Sequence, residues 1–273
     1  MPEQLVHEGT LSESQFFPPI SLGDEEVHRV HDPDYWAKLK AGQLTRQEER
    51  RTGFPWSDAL VKREVMIMGG TVQCARYAFE SGVALNIAGG THHAYKDRGE
   101  GFCLLNDFAL AAAALLDEGR IERALIVDLD VHQGNGTAKI FENDSRVFTF
   151  SMHGAGNYPM HKETSDLDVG LPDGIDDRNY LQLLDANWPR LLDEVEPDVV
   201  FYQCGVDILE TDKLGRLGVS PEGCAARDRR ILERCCKDEV PVVCSMGGGY
   251  SPDIWHVVEA HCNTFRIAHE LWG

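Results

Sequence analysis

The chain lacks several features that would have named a function class at once. None of its eight cysteines forms a CxxC pair or a zinc-finger spacing. Cys74, Cys204 and Cys244 sit instead within apolar strand or helix patterns, as buried free thiols of a reducing compartment do. No apolar window approaches the roughly 18 residues of a membrane helix. The stretch Met1–Thr10 has neither a basic start nor an apolar signal core, so a cytoplasmic protein is expected. Basic residues are scarce: 26 Lys and Arg face 45 Asp and Glu, a net charge of −19. Such a surface repels phosphate backbones and argues against direct nucleic-acid binding. There is no Ser or Cys nucleophile elbow, and Gly247-Gly-Gly249 lacks the Lys-Ser/Thr of a P-loop. No repeat, linker or low-complexity break divides the 273 residues, so 1–273 reads as one domain.

What is present is a regular alternation. Helical spacing covers 61–80, 107–116, 180–195, 222–236 and 253–271, with Pro189 marking a kink or a helix start. Strand patterns cover 83–88, 124–128, 146–150, 198–203 and 240–246. Strands alternating with helices predict an α/β fold with three α/β/α layers and a central, mostly parallel sheet. The first 60 residues read as irregular apart from short helical stretches at 34–40 and 45–51. Segment 1–25 is expected to be an irregular N-terminal piece, with Phe16-Phe-Pro-Pro-Ile20 laid over the body of the fold. The Gly69-Gly70 pair inside a helix predicts close packing there.

The chemistry concentrates at the strand ends. Ala124–Val127 is an apolar run that leads into Asp128, Asp130 and His132, followed by Gly134 and Gly136. In extended chain these three polar residues share one face. Buried carboxylates are costly unless paired or bound to a cation. His92 and His93 follow the strand before, Ser151 and His153 the strand after, Asp207 the next and Tyr250 the last. In open α/β sheets ligands bind beyond the carboxyl ends of the strands, so five segments are expected to converge. Each has a bland alternative: a capped turn for the His pair, an N-cap for Asp207, a plain turn for the glycines. Asp130, His132 and Asp207 form a two-carboxylate, one-imidazole set suited to Zn²⁺ or Fe²⁺. His92 and His93 would act as acid–base groups, with Asp128 and Asn135 each orienting an imidazole. Tyr250 would hydrogen-bond a developing oxyanion. Together these make a kit for metal-assisted amide hydrolysis.

At these residues the chain resembles the zinc-dependent histone deacetylase family. The matching segments are Gly89-Gly-Thr-His-His-Ala94, Arg98-Gly-Glu-Gly-Phe-Cys103 with Asn106-Asp107, Val127–Gly136, Gly205-Val-Asp207 and Gly247-Gly-Gly-Tyr250. Asp207–Gly215 and Val219–Gly223 look most like the class IV branch and its bacterial relatives, and Asn135 agrees. The resemblance implies an arginase-like fold with zinc on Asp130, His132 and Asp207. It implies His93 as general base and then general acid, His92 held by Asp128, and Tyr250 polarising the acyl carbonyl. Phe102 and Tyr158 would line an acyl-lysine tunnel, with Gly101 and Gly248 beside them. Tyr158 departs from the family's usual Phe. A structural potassium ion would take the side chains of Asp128 and Ser151 and main-chain oxygens of Asp128, Asp130, His132 and Met152. A second would lie near Phe141, Asp144 and Val147. The family's opening strand finds no clear counterpart in the first 25 residues.

The leading expectation is therefore a lysine deacylase acting on acetyl and long-chain fatty acyl groups of a peptide or protein. Small acetylated amines are an alternative substrate. A two-manganese ureohydrolase on a related fold and a non-catalytic acyl-lysine reader are the other readings. Neither oligomeric state nor a histone substrate can be read from the chain.

Overall fold

A computed structural model describes all 273 residues. The chain opens with helix α1 (Pro2–His7), a 3-10 turn at Glu13–Gln15, α2 (Asp24–Val27), α3 (Pro33–Lys40) and α4 (Arg46–Thr52). The long helix α5 (Asp58–Ser81) leads into β1 (Val83–Asn86), α6 (Asp107–Asp117), β2 (Ala124–Asp128) and α7 (Asn135–Phe141). Then come β3 (Val147–Gly154), β4 (Leu167–Leu171), α8 (Asp177–Val195), β5 (Val199–Gln203), α9 (Pro221–Lys237), β6 (Val242–Ser245) and α10 (Ile254–Trp272). All six strands pair in parallel, in the order β1-β6-β5-β2-β3-β4. The α/β expectation holds, with helices on both faces of one sheet.

Strand β2 shows why this sequence makes a central strand. Successive side chains point to opposite faces. Leu125 and Val127 join the core under α8, α9 and α10, with Tyr180, Trp188, Ile231 and Ile267. Ala124 and Ile126 join the core under α3, α5 and α6, with Trp36, Met68 and Phe108. Both faces are covered, so the strand is apolar without alternation. Helix ends follow capping chemistry: Ser57, Asn106, Asp176 and Ser220 each accept a backbone N–H at the start of α5, α6, α8 and α9.

Several expectations need correcting. The first 25 residues are not irregular throughout, since they hold α1 and part of α2. Leu5 of α1 is fully buried against Cys262 and Phe265 of α10. That tertiary contact supplies what a six-residue segment cannot show alone. Strand β3 runs on to Gly154, so Ser151 and His153 lie within it rather than beyond it. Strand β4 was not foreseen; it is a half-exposed edge strand with Gly170 in its middle. Helix α7 was also missed, because seven residues opening Asn-Gly carry little periodicity. Pro189 neither starts nor ends a helix; α8 continues through it.

Other details agree. A Cβ on Gly69 would lie 1.7 Å from the carbonyl oxygen of Ile20, so the N-terminal segment does cross α5 there. Gln73 accepts the Ile20 N–H at 2.8 Å, and Phe17 packs on Tyr77. No helix is long and apolar enough to cross a membrane.

Candidate active site

The site lies at the carboxyl ends of β1, β6, β5 and β2. Strand β2 is flanked by β5 and β3, with Asp128 in register with Gln203 and Ser151. The chain leaves β2 at Asp128, so strand alternation does not aim Asp130 and His132. Short hydrogen bonds within the turn do. Asp128 accepts the Asp130 N–H at 3.1 Å, and Asp130 accepts the His132 N–H at 3.0 Å. Gly134 then starts α7, where a Cβ would stand 2.3 Å from the Asp128 carboxylate.

Asp207 arrives on the loop after β5. His132 Nδ1 lies 3.1 Å from Asp130 Oδ1 and 3.1 Å from Asp207 Oδ2. The ligand atoms of Asp130, His132 and Asp207 all lie within 4.8 Å of one another, and all three residues are buried. Each carboxylate is also tied by its other oxygen to backbone. Asp130 Oδ2 accepts the Gly248 N–H at 2.8 Å, and Asp207 Oδ1 accepts the Val131 N–H at 3.0 Å. The remaining oxygens turn to the imidazole. Two carboxylates and one imidazole at this spacing suit a divalent cation. Burial and the neighbouring Asp130 charge push Asp207 up to about 7. Burial also opposes charge on His132, but its hydrogen bonds to both carboxylates prevail and raise it to about 10. The three thus form a tight electrostatic unit.

Glycine is required where this unit packs against its loops. A Cβ on Gly248 would lie 2.0 Å from Asp207 Oδ2, and one on Gly205 would lie 2.2 Å from Asp130 Oδ2. Beneath both loops lies Arg227 of α9, fully buried. Its guanidinium donates to the carbonyls of Leu129 (3.2 Å), Gly205 (2.6 Å) and Cys204 (3.3 Å). Asp228 balances that charge at 2.8 Å and accepts from Tyr202 and Thr264. Arg227 therefore ties the chain just before Asp130 to the chain just before Asp207. Its place in an exposed-looking Arg-Asp-Arg-Arg run hid this role from sequence reading.

The two histidines sit on the loop after β1, their rings 4.1 Å apart. Asp107, at the start of α6, holds that loop through the Gly90 and Thr91 N–H groups at 3.0 and 2.8 Å. His92 Nδ1 lies 2.6 Å from Asp128 Oδ2, and His93 Nδ1 lies 2.6 Å from Asn135 Oδ1. Asn135 donates through Nδ2 to Tyr95 at 2.9 Å, which assigns Oδ1 as the acceptor and Nδ1 of His93 as the donor. The two environments differ. Burial works against charge on His92, yet Asp128 and Asp130 outweigh it and lift the ring to about 9. Burial and the positive His92 hold His93 well below the ordinary range, so it stays neutral.

The mouth is aromatic. Tyr158 meets His93 edge-on at 5.1 Å, and Phe102 lies 6.1 Å from Tyr250. Phe102 is 46% exposed and Tyr158 38%. Gly101 lies between them, since a Cβ there would stand 2.6 Å from the His93 ring and 3.2 Å from Tyr158. The Tyr250 N–H donates to Asp212 at 2.5 Å. Burial and the charges of Asp130 and Asp207 push the Tyr250 hydroxyl upward, so it remains a donor. Ser151 lies beside Asp128 and hydrogen-bonds His153 at 2.9 Å; Met152 is buried next to it. His153 thus belongs with Ser151 under the site, not among its lining groups. Phe141, Asp144 and Val147 share one turn closed by backbone bonds, while the Asp144 carboxylate is engaged by Arg146.

A parallel sheet with a buried Asp/His/Asp group and paired imidazoles at its carboxyl edge defines a hydrolase of the arginase/deacetylase fold. The chain belongs to the histone deacetylase family: residues 1–265 match the histone deacetylase domain. It is similar to an uncharacterized protein of Picosynechococcus sp., 44% identical over 268 residues, covering 98% of this chain and 89% of that one. It is 32% identical to histone deacetylase 2 of Arabidopsis thaliana over 90% of this chain and 66% of that protein. Against histone deacetylase 1 of Homo sapiens the identity is 30%, over 98% of this chain and 58% of that protein. The chain thus spans less than two thirds of those plant and human relatives. Among solved structures it resembles an HDAC homolog from Aquifex aeolicus, 25% identical with a TM-score of 0.83, over 97% of this chain and 75% of that one. It also resembles an HDAC homolog complexed with SAHA, 26% identical with a TM-score of 0.82, over 99% and 76%.

Proposed function

We propose that this chain is a zinc-dependent lysine deacylase that cleaves the Nε-acyl amide of lysine in a peptide or protein. The observation that carries this reading is the buried Asp130, His132 and Asp207 group, with ligand atoms within 4.8 Å, beside an imidazole whose Nδ1 is committed to Asn135. The three side chains would hold one Zn²⁺, with Fe²⁺ as the alternative, and that ion would polarise the acyl carbonyl and acidify a water.

The chain's own residues account for the proton traffic. His93 is neutral, with Nδ1–H donating to Asn135, so Nε2 is free to take the proton of the attacking water. The same atom returns it to the lysine amine as that leaves. His92, fixed on Asp128, supplies positive charge beside the reacting carbon. Tyr250 keeps its proton and donates to the oxyanion. Phe102 and Tyr158, with Gly101 and Gly248 beside them, form walls for the lysine methylenes. Asp128, Ser151 and Met152 surround a structural potassium site, and the turn at Phe141, Asp144 and Val147 forms a second. The SAHA bound to a structural relative is that protein's ligand, and a narrow acyl-lysine-like channel here is the parallel reading.

The segments at Asp207–Gly215 and Val219–Gly223 favour the class IV branch, hence long-chain fatty acyl groups as well as acetyl. Purified protein should carry one zinc per chain and release acetyl or myristoyl groups from lysine peptides. Tyr250→Phe should keep its metal and lose roughly 100-fold or more in kcat. Full turnover in that variant would remove the role given to Tyr250. Turnover confined to small acetylated amines would change the substrate class, and metal without any turnover would leave an acyl-lysine reader.

A further inference from the structure

Glu100 has no part in the reaction just outlined, yet its carboxylate meets both sides of the site. Its Oε1 accepts the Tyr158 hydroxyl in a short hydrogen bond and the Asn135 Nδ2–H at 3.3 Å. Its Oε2 lies 3.5 Å from Arg98 Nε, whose guanidinium stacks on the Tyr95 ring at 3.5 Å. The Glu100 side chain is only 15% exposed. Its backbone exchanges two hydrogen bonds with Cys103, at 2.8 and 2.9 Å. That closes a tight turn whose two middle residues, Gly101 and Phe102, both take positive φ. One residue thus sets the base of the Phe102 turn, anchors the Tyr158 wall and touches the partner of His93.

We propose that Glu100 is a positioning residue that locks the tunnel walls to the Asn135–His93 pair. The inference rests on the reading of His93 as the proton-transfer group and of Phe102 and Tyr158 as tunnel walls. A neutral amide is a weaker orienter of an imidazole than a carboxylate. Here the charge stands one step back. By accepting from Asn135 Nδ2, Glu100 and Tyr95 hold the amide in the one orientation that offers Oδ1 to His93. By accepting from Tyr158, the same carboxylate keeps that ring edge-on to His93. Burial and this hydrogen bond push the Tyr158 hydroxyl upward, so it remains the donor. Glu100 and Asn135 are thus a matched pair, one charged and one neutral. A second carboxylate at position 135 would face Glu100 at hydrogen-bond distance without a proton between them.

The test is a cycle of Glu100→Gln, Asn135→Asp and the double variant, each metal-loaded and full length. Zinc content, kcat and KM on an acetyl-lysine peptide, and thermal unfolding are measured together. Glu100→Gln should lower kcat about tenfold and raise KM with zinc content unchanged, the size usual for a residue that orients a catalytic group. Asn135→Asp should lose more. The double variant should recover to the Glu100→Gln level or above, because the introduced amide can donate to the introduced carboxylate. Rates whose losses simply multiply, with metal and fold intact, overturn the inference. The unfolding arm does not depend on turnover. Asn135→Asp should lower Tm by about 3 °C and the double variant should restore it; strictly additive Tm shifts overturn the coupling. Should the wild type release no acyl group, the lysine-deacylase reading fails while the unfolding cycle still decides whether Glu100 and Asn135 act as a pair.

Discussion

His92 and His93 are chain neighbours with rings 4.1 Å apart, and the fold gives them opposite surroundings. His92 leans on Asp128, the last residue of a strand buried on both faces. His93 leans on Asn135, in the first turn of α7, beside the half-exposed walls of the mouth. One ring is raised to about 9 by carboxylates that outweigh its burial; the other is depressed by burial and by the first ring's charge. Two identical side chains are thus split into a fixed cation and a neutral base. The transferable lesson is that partner and depth, not residue type, assign acid–base roles.

The split is easiest to break at the bases themselves. His93→Ala should lower kcat by roughly 10³-fold with metal retained, and His92→Ala by clearly less, about 10²-fold. Equal losses on one acyl-lysine peptide would erase the distinction. Next in size is the ion pair. Asp128→Asn leaves the buried His92 without its counter-charge and should cost about 3 kcal/mol of stability, whereas Asn135→Ala should cost about 1 kcal/mol. Urea unfolding of the chelated proteins measures both. The pH sign follows from His92: its folded pKa lies above the unfolded 6.5, so the pair's contribution is full below 6.5 and lost as pH rises through about 9. The gap between wild type and Asp128→Asn should narrow over that window. A gap that widens there would show that His92 is not the charged partner.

The smallest effect is a shift rather than a loss. A carboxylate at Asn135 favours the protonated form of His93, so the acidic limb of the kcat/KM profile should move to higher pH in Asn135→Asp. The groups facing that ring are His92, His132, Asn135, Tyr158 and the charge of Asp130. An unmoved limb would mean that His93 does not govern it.

Much of the site was legible because its residues cluster in short motifs. Asp128, Asp130, His132 and Asn135 occupy eight consecutive positions, and the strand before them is apolar at every step. His92-His93, Asp207 and Tyr250 could be placed by a single rule, that polar residues after strands line the carboxyl edge. The residues that went unread act through backbone or over long separations. Arg227 binds carbonyls 98 and 22 residues away, and nothing in its neighbourhood marks it as buried. Glu100 lies inside a recognised segment, but its partners at 135 and 158 meet only in the fold. Edge strand β4 and helix α1 carry too little periodicity to announce themselves, and each forms by docking on a neighbour.

By itself, then, the sequence determined the α/β alternation, the buried central strand and the types of group gathered at its end. Those are consequences of local periodicity and of the cost of burying charge. Only the tertiary structure decided which carboxylate faces which imidazole. Asp128 and Asp130 are two residues apart, yet one braces His92 and the other joins Asp207 around His132. The reason is geometric: the strand ends at Asp128, so the aim of everything after it is set by loops arriving from β1, β5 and β6.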